Sequence, residues 1–193
     1  TWVEPAIRRK ARVLHPGCRL GGEGFAPEPP GEGPPLIIWN HRWEHDKNPE
    51  GFFEGIDALA AEGIDFRLAL LGERYRTVPA AFVRARERYG SRIVHDGYVP
   101  DKGAYREILR RGDIVVSTAL QENFGISVVE AVAAGCLPLL PRRLSYPEIL
   151  PGEFHREFLY EGQGDFVRKL SRLTRNTSRI TAVRRSISRP MGV

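Results

Sequence analysis

Residues 117–148 read STALQENFGISVVEAVAAGCLPLLPRRLSYPE, and no other part of the chain constrains the fold so closely. The stretch opens where an apolar run, Ile114-Val115-Val116-Ser117, ends, and continues as a polar loop, a helix opening at Ile126-Ser127-Val128-Val129, a small-residue segment Ala131 to Gly135, and a second apolar run through Leu140. Its middle places two carboxylates, Glu122 and Glu130, eight positions apart around Asn123-Phe124-Gly125. A helix N-terminus offers unpaired amides and the positive end of the helix dipole, so the backbone from Phe124 to Ile126 is a candidate anion site. The two acids are placed to take hydroxyls beside it. The pattern suits a ligand that carries both phosphates and sugars.

Outward from this stretch, strand-length apolar runs alternate with helical ones. Leu36 to Trp39, Phe66 to Leu71, Arg92 to His95, Ile114 to Ser117 and Leu137 to Leu140 are predicted strands. Asn48 to Glu62, Pro79 to Tyr89 and Lys102 to Arg111 are predicted helices. Strands apolar throughout and separated by helices imply an α/β fold, a Rossmann-like parallel sheet with helices on both faces. Ligands of such sheets sit beyond the carboxyl ends of the strands. The loops there are where chemistry is expected.

The first such loop is Asn40-His41-Arg42-Trp43-Glu44-His45-Asp46-Lys47-Asn48-Pro49. Arg42 and Lys47 offer a guanidinium fork and a point charge to a diphosphate, or else form surface ion pairs with Glu44 or Asp46. His41 and His45 have a metal-like spacing, but that spacing converges only on a helix and no third ligand is near, so no metal site is expected. Gly72 ends the second strand and either admits a ligand or closes a turn. Tyr98 and Val99 follow the third strand in His95-Asp96-Gly97-Tyr98-Val99-Pro100. No G-x-G-x-x-G or Walker phosphate loop is present, which disfavours a nicotinamide-binding domain and a P-loop enzyme.

Composition bounds the rest. The 193 residues, 41% hydrophobic, suffice for one core. The chain starts at Thr1 without methionine and has no signal-peptide core or membrane-length apolar run, which reads as a piece of a longer soluble protein. Cys18 and Cys136 lie far apart, and Cys136 sits in an apolar run, so a buried thiol in a reducing cytoplasm is expected. Four segments are expected: a basic amino-terminal segment 1–20, a Pro/Gly-rich linker 21–35, a ligand-binding domain 36–165, and a basic helix or tail 166–193. The last holds eight of the 29 basic residues and none of the 24 acids, and suits either a solvated face or contact with a polyanion such as RNA.

Taken together, the Arg42-x4-Lys47 pair, the Glu122-x7-Glu130 pair and Glu130-Ala131 through Gly135 resemble the carboxyl-terminal, donor-binding half of GT-B glycosyltransferases of the retaining group 1 family. The wording of WNHRWEHDKNPE, VSTALQENFGISVVEAV and Leu144-Ser145-Tyr146-Pro147-Glu148 is most similar to the tRNA-queuosine α-mannosyltransferase group. The resemblance implies a metal-independent hexosyltransferase that needs no cofactor and moves mannose from GDP-mannose to queuosine in tRNA. It implies catalytic roles for Arg42, Lys47 and Glu122, with Glu122 on the donor sugar and Glu130 on the ribose. His41, Gly72, Tyr98, Val99 and Asn123 to Ile126 complete the expected substrate-binding set. The family's acceptor-facing amino-terminal domain is missing beyond residues 1–20, so the chain alone is expected to be inactive.

Overall fold

The computed structural model describes residues 3–11, 33–73 and 78–176. The amino-terminal segment, most of the linker expected at 21–35 and the tail beyond 176 lie outside the described residues, apart from helix α1 (Val3–Lys10) with its surface Glu4–Arg8 pair.

Six strands form one parallel sheet: β1 (Leu36–Asn40), β2 (Arg67–Leu71), β3 (Ile93–Gly97), β4 (Ile114–Val116), β5 (Leu137–Pro141) and β6 (Leu159–Tyr160), in the order β3-β2-β1-β4-β5-β6. Between the strands run α2 (Pro49–Ala61), α3 (Ala80–Tyr89), α4 (Lys102–Arg110), α5 (Ile126–Ala133), α6 (Tyr146–Ile149) and α7 (His155–Phe158), and α8 (Gly162–Arg175) follows β6. Strands β1 and β5 are buried at every position, as their unbroken apolar runs require. Right-handed crossovers place α2 and α3 on one face and α4 and α5 on the other. The strand order reverses between β1 and β4, so the loops leaving these two strands part and open a crevice at the sheet's carboxyl edge.

Local signals set the boundaries. Asn48, in the left-handed region at φ 51°, caps α2 by accepting from the Gly51 amide at 3.2 Å, with Pro49 at the first helical position. Asp101 caps α4 through the Ala104 amide at 2.7 Å. On edge strand β3 the register slips opposite Leu68 and Ala69 of β2, leaving Val94 unpaired and 49% exposed, a bulge of the kind that blunts sheet edges.

The expected boundary at 165/166 falls inside α8. Phe166, Leu170 and Leu173 are fully buried in the common core, and a Cβ at Gly55 of α2 would lie 2.3 Å from the Phe166 ring. The polar side of α8 is largely ion-paired: Arg168 and Lys169 with Asp165, Arg172 with Glu157, Arg175 with Glu62. Phe166→Ala is therefore expected to lower unfolding stability by about 3–5 kcal/mol, as a large core deletion, and Arg168→Ala by less than about 0.5 kcal/mol. Urea denaturation of the two variants checks this, and equal small effects would place α8 outside the core.

Candidate functional site

The loops after β1 and β4 are stitched together. The Leu120 amide donates to the Asp46 carbonyl at 2.7 Å, and the Thr118 hydroxyl reaches the Lys47 and Asn48 carbonyls at 2.9 Å each. Lys47, its side chain 8% exposed, sends its ammonium to the Gln121 carbonyl at 2.7 Å, to Asp46 at 3.1 Å and to Glu122 Oε2 at 3.4 Å. An ammonium has three donors, and all three have partners here. Lys47 thus holds Glu122 in place. Contact with a ligand requires one of those partners to be exchanged.

Arg42 points outward, half-exposed, and pairs with Glu44 at 3.0 Å. Both ion pairs open to this loop on sequence grounds are present, Arg42–Glu44 at the surface and Lys47–Asp46 with the lysine buried. His41 is buried beside Trp39, with ring centroids 5.1 Å apart. Burial lowers its pKa from 6.5 to about 4; Glu122, Asp46 and a hydrogen bond to the Val116 backbone raise it and Lys47 lowers it. The ring is neutral at pH 7, and its Nε2 is buried without a hydrogen-bond partner.

Next to this seam lies a cleft of about 600 Å³ lined by His41, Arg42, Gly72, Tyr98, Val99 and Glu130, six of the residues singled out by sequence, together with Asn40, Lys102, Tyr105 and Arg106. At Gly72 the turn is tight: a Cβ would fall 1.9 Å from the His41 carbonyl oxygen, so only glycine lets the β1 and β2 loops approach so closely. Tyr98 stands 62% exposed at the rim. Glu130, on α5, is partly desolvated, which raises its pKa above the usual carboxylate value; the Tyr105 hydroxyl at 3.3 Å, Arg106 and Lys102 oppose the shift.

Asn123, Phe124, Gly125 and Ile126 do not line this cleft. They form the turn into α5, where Gly125 caps the helix at φ 86° and the Phe124 carbonyl accepts from Ser145 at 3.0 Å. Glu122 precedes the helix on the loop, and Tyr146-Pro147-Glu148 opens the short helix α6. There the Tyr146 hydroxyl, fully buried, bonds Ser117 at 2.6 Å. Asn40, Lys102, Tyr105 and Arg106 were not expected; the alternation of buried and exposed positions along α4 gives no local sign that one side of it faces a cleft. Among the described residues no cluster of His, Cys, Asp and Glu suited to a metal occurs, and no helix is long and apolar enough to cross a membrane.

The family model for group 1 glycosyl transferases matches residues 23–186. The chain belongs to the group 1 glycosyltransferases. Among relatives of this group it is 40% identical over 134 residues to the Drosophila melanogaster tRNA-queuosine alpha-mannosyltransferase, a match that covers 69% of this chain and 34% of that protein. It is 25% identical over 118 residues to a GDP-mannose-dependent alpha-(1-6)-phosphatidylinositol dimannoside mannosyltransferase of Mycobacterium tuberculosis, covering 61% of this chain and 30% of that one. The chain spans about a third of the length of these relatives. Its fold is that of one half of a GT-B glycosyltransferase. It superposes on the C-terminal domain of a group 1 glycosyl transferase from Francisella tularensis with a TM-score of 0.69 at 20% identity, covering 89% of this chain and 96% of that one. The catalytic domain of the Helicobacter pylori cholesterol-alpha-glucosyltransferase matches with a TM-score of 0.67 at 18% identity, covering 82% and 98%.

The buried neutral His41 makes stability depend on pH. Its folded pKa lies below its unfolded one, so between pH 6.5 and about 4 the unfolded chain takes up a proton that the folded chain refuses. Its contribution is complete above pH 6.5, falls as pH drops through that window, and totals about 3 kcal/mol at about 1.4 kcal/mol per pKa unit. Urea denaturation at pH 7 and pH 5 is expected to show a smaller stability difference for His41→Gln than for the unaltered chain.

Proposed function

We propose that this chain is the nucleotide-sugar-binding half of a metal-independent retaining glycosyltransferase, and that the whole protein transfers mannose from GDP-mannose to queuosine in tRNA. The observation that carries the reading is the crevice between β1 and β4, where a buried lysine holds a carboxylate beside a cleft that contains a guanidinium and a second carboxylate. Cleaving a sugar–phosphate bond leaves extra negative charge on the diphosphate, and positive groups held ready for it lower the barrier. Arg42 takes the phosphates by leaving Glu44, and Lys47 by exchanging Asp46 or Glu122. Glu122 holds donor-sugar hydroxyls and Glu130 the ribose, while Tyr98 and Val99 border the nucleoside, and Asn123 with the amides from Phe124 to Ile126 faces the sugar end. His41, buried and neutral, accepts a hydrogen bond rather than repelling or pairing a charge.

Identity to the fly enzyme supports the queuosine acceptor, and the mycobacterial relative's name supports GDP-mannose as donor. No metal or other cofactor enters this reading. The acceptor side needs the part of the protein that this chain does not span, so the chain alone binds donor without turnover. The buried thiol of Cys136, donating to the Leu109 carbonyl at 3.2 Å, suits the cytoplasm, where tRNA is also found.

A thermal-shift panel of GDP-, UDP- and ADP-sugars tests the reading. GDP and GDP-mannose at about a hundredfold over Kd are expected to stabilise the fold by about 2.7 kcal/mol, a rise of roughly 5–11 °C, with smaller shifts for the other bases. Arg42→Ala removes most of the shift and leaves the ligand-free Tm unchanged, because the Arg42–Glu44 pair is exposed. An unchanged Tm in millimolar GDP overturns the reading.

A further inference from the structure

Glu130 is held by a hydrogen-bond chain that begins outside its own helix. Asn40, the last residue of β1, donates from Nδ2 to the Ser127 carbonyl at 2.6 Å and to the Tyr105 hydroxyl at 3.3 Å. The Ser127 carbonyl only accepts, which fixes the amide's orientation. Tyr105 then has its one proton to give, and its hydroxyl lies 3.3 Å from Glu130 Oε2. The direction is set along the whole chain, from amide to phenol to carboxylate.

The chain ties three elements around one cleft: β1, α4 and α5. Asn40 is 5% exposed, lines the cleft, and has its Oδ1 buried without a hydrogen-bond partner. The Glu130 carboxylate, with the Tyr105 hydroxyl on its Oε2, is an acceptor only, so the group that completes this corner must bring donors. The doubly esterified diphosphate of a nucleotide sugar has none to offer at neutral pH, whereas a vicinal diol has two.

We propose that Tyr105 and Asn40 are positioning residues that fix the Glu130 carboxylate for the 2′,3′-diol of a ribonucleotide, making α4 part of the binding site. The inference rests on the reading of Glu130 as the ribose ligand given above. Tyr105 acts through Glu130 without touching the nucleotide itself, and its hydroxyl keeps one carboxylate oxygen from rotating away from the diol. The same hydroxyl favours the charged carboxylate against the burial that disfavours it. The other charges around Glu130 are Lys102 and Arg106 on α4, Arg42 on the β1 loop and Glu73 on the β2 loop.

Calorimetry on the 193-residue chain, with GDP and 2′-deoxy-GDP as probes, tests this on the unaltered protein, Tyr105→Phe, Glu130→Gln and the double variant. Tyr105→Phe is expected to weaken GDP binding about tenfold, the loss of one hydrogen bond to a charged group, and to weaken 2′-deoxy-GDP binding much less. In the Glu130→Gln background the same substitution is expected to change GDP affinity less than twofold, because residues in one network are non-additive. Affinity for GDP in Tyr105→Phe also begins to fall at a higher pH on acidification than in the unaltered chain. Where Tyr105→Phe fails to fold, Asn40→Ala, which removes the preceding donor, is put through the same cycle. Additive losses in the double variant, or equal losses for GDP and 2′-deoxy-GDP, overturn the inference and leave the reading of the cleft standing. No GDP binding by the unaltered chain overturns both.

Discussion

The structure depends most on one desolvated ammonium. Removing Lys47 from water costs several kcal/mol unless every N–H is matched, and the fold matches them with a backbone carbonyl and two carboxylates from two different loops. Those loops leave β1 and β4, the neighbouring strands at which the order of the sheet reverses. Without a bridge they would diverge, since the helices that follow them pack on opposite faces. Lys47, with the backbone bonds from Leu120 to Asp46 and from Thr118 to Lys47 and Asn48, converts a gap in the topology into a wall of fixed shape. The wall also carries charge: the one ammonium is shared between Asp46 and Glu122, and Arg143 reaches the same β4 loop through the Ala119 carbonyl at 2.9 Å.

The two glutamates of the motif show how environment divides one residue type into two. Glu122 is ion-paired by Lys47 and takes the Asn123 amide at 3.0 Å, so its charge is satisfied from within the chain. Glu130 has a phenol at 3.3 Å and two cations further off, and burial pushes its pKa up. A carboxylate whose needs are met locally can hold neutral hydroxyls without reorganising. One that is only partly compensated gains from a ligand that supplies further donors. The spacing of the pair therefore matters less than where the helix starts: α5 begins at Ile126, which leaves Glu122 on the loop beside Lys47 and carries Glu130 a full turn along, facing α4.

Much of this was legible from residue order because buried parallel strands have a simple signature. Leu36 to Trp39 and Leu137 to Leu140 are apolar at every position, and a strand covered on both faces needs that. β6, two residues long, and α6 and α7, four residues each, are too short to show a period, and they are held by tertiary contacts such as Tyr146 to Ser117 and Tyr160 to the Ser117 carbonyl. In the site, Arg42, Lys47, Glu122 and Glu130 stood out because charged residues at strand ends and helix starts are conspicuous. Asn40, Tyr105, Lys102 and Arg106 did not. A single tyrosine on an amphipathic helix more often packs than binds, and only the approach of α4 to α5 gives Tyr105 a carboxylate to reach.

The same dependence on neighbours decides the meaning of the carboxyl-terminal charge. As a string, residues 166–193 are basic without relief, and a run of that kind suggests a polyanion partner. In the folded chain the acids that relieve it come from elsewhere: Glu62 at the end of α2, Glu157 on α7, and Asp165, placed one residue before the string begins. Each of the four basic side chains of α8 meets one of them, and the apolar side of the helix closes the core, with Phe166 against Gly55 of α2. A phosphate approaching α8 would have to break these pairs singly, each exposed and worth little on its own, without the gain that a preformed cluster of unmatched cations provides. The described part of the basic string is thus a clamp between α2, α7 and the sheet, and its charge serves the fold.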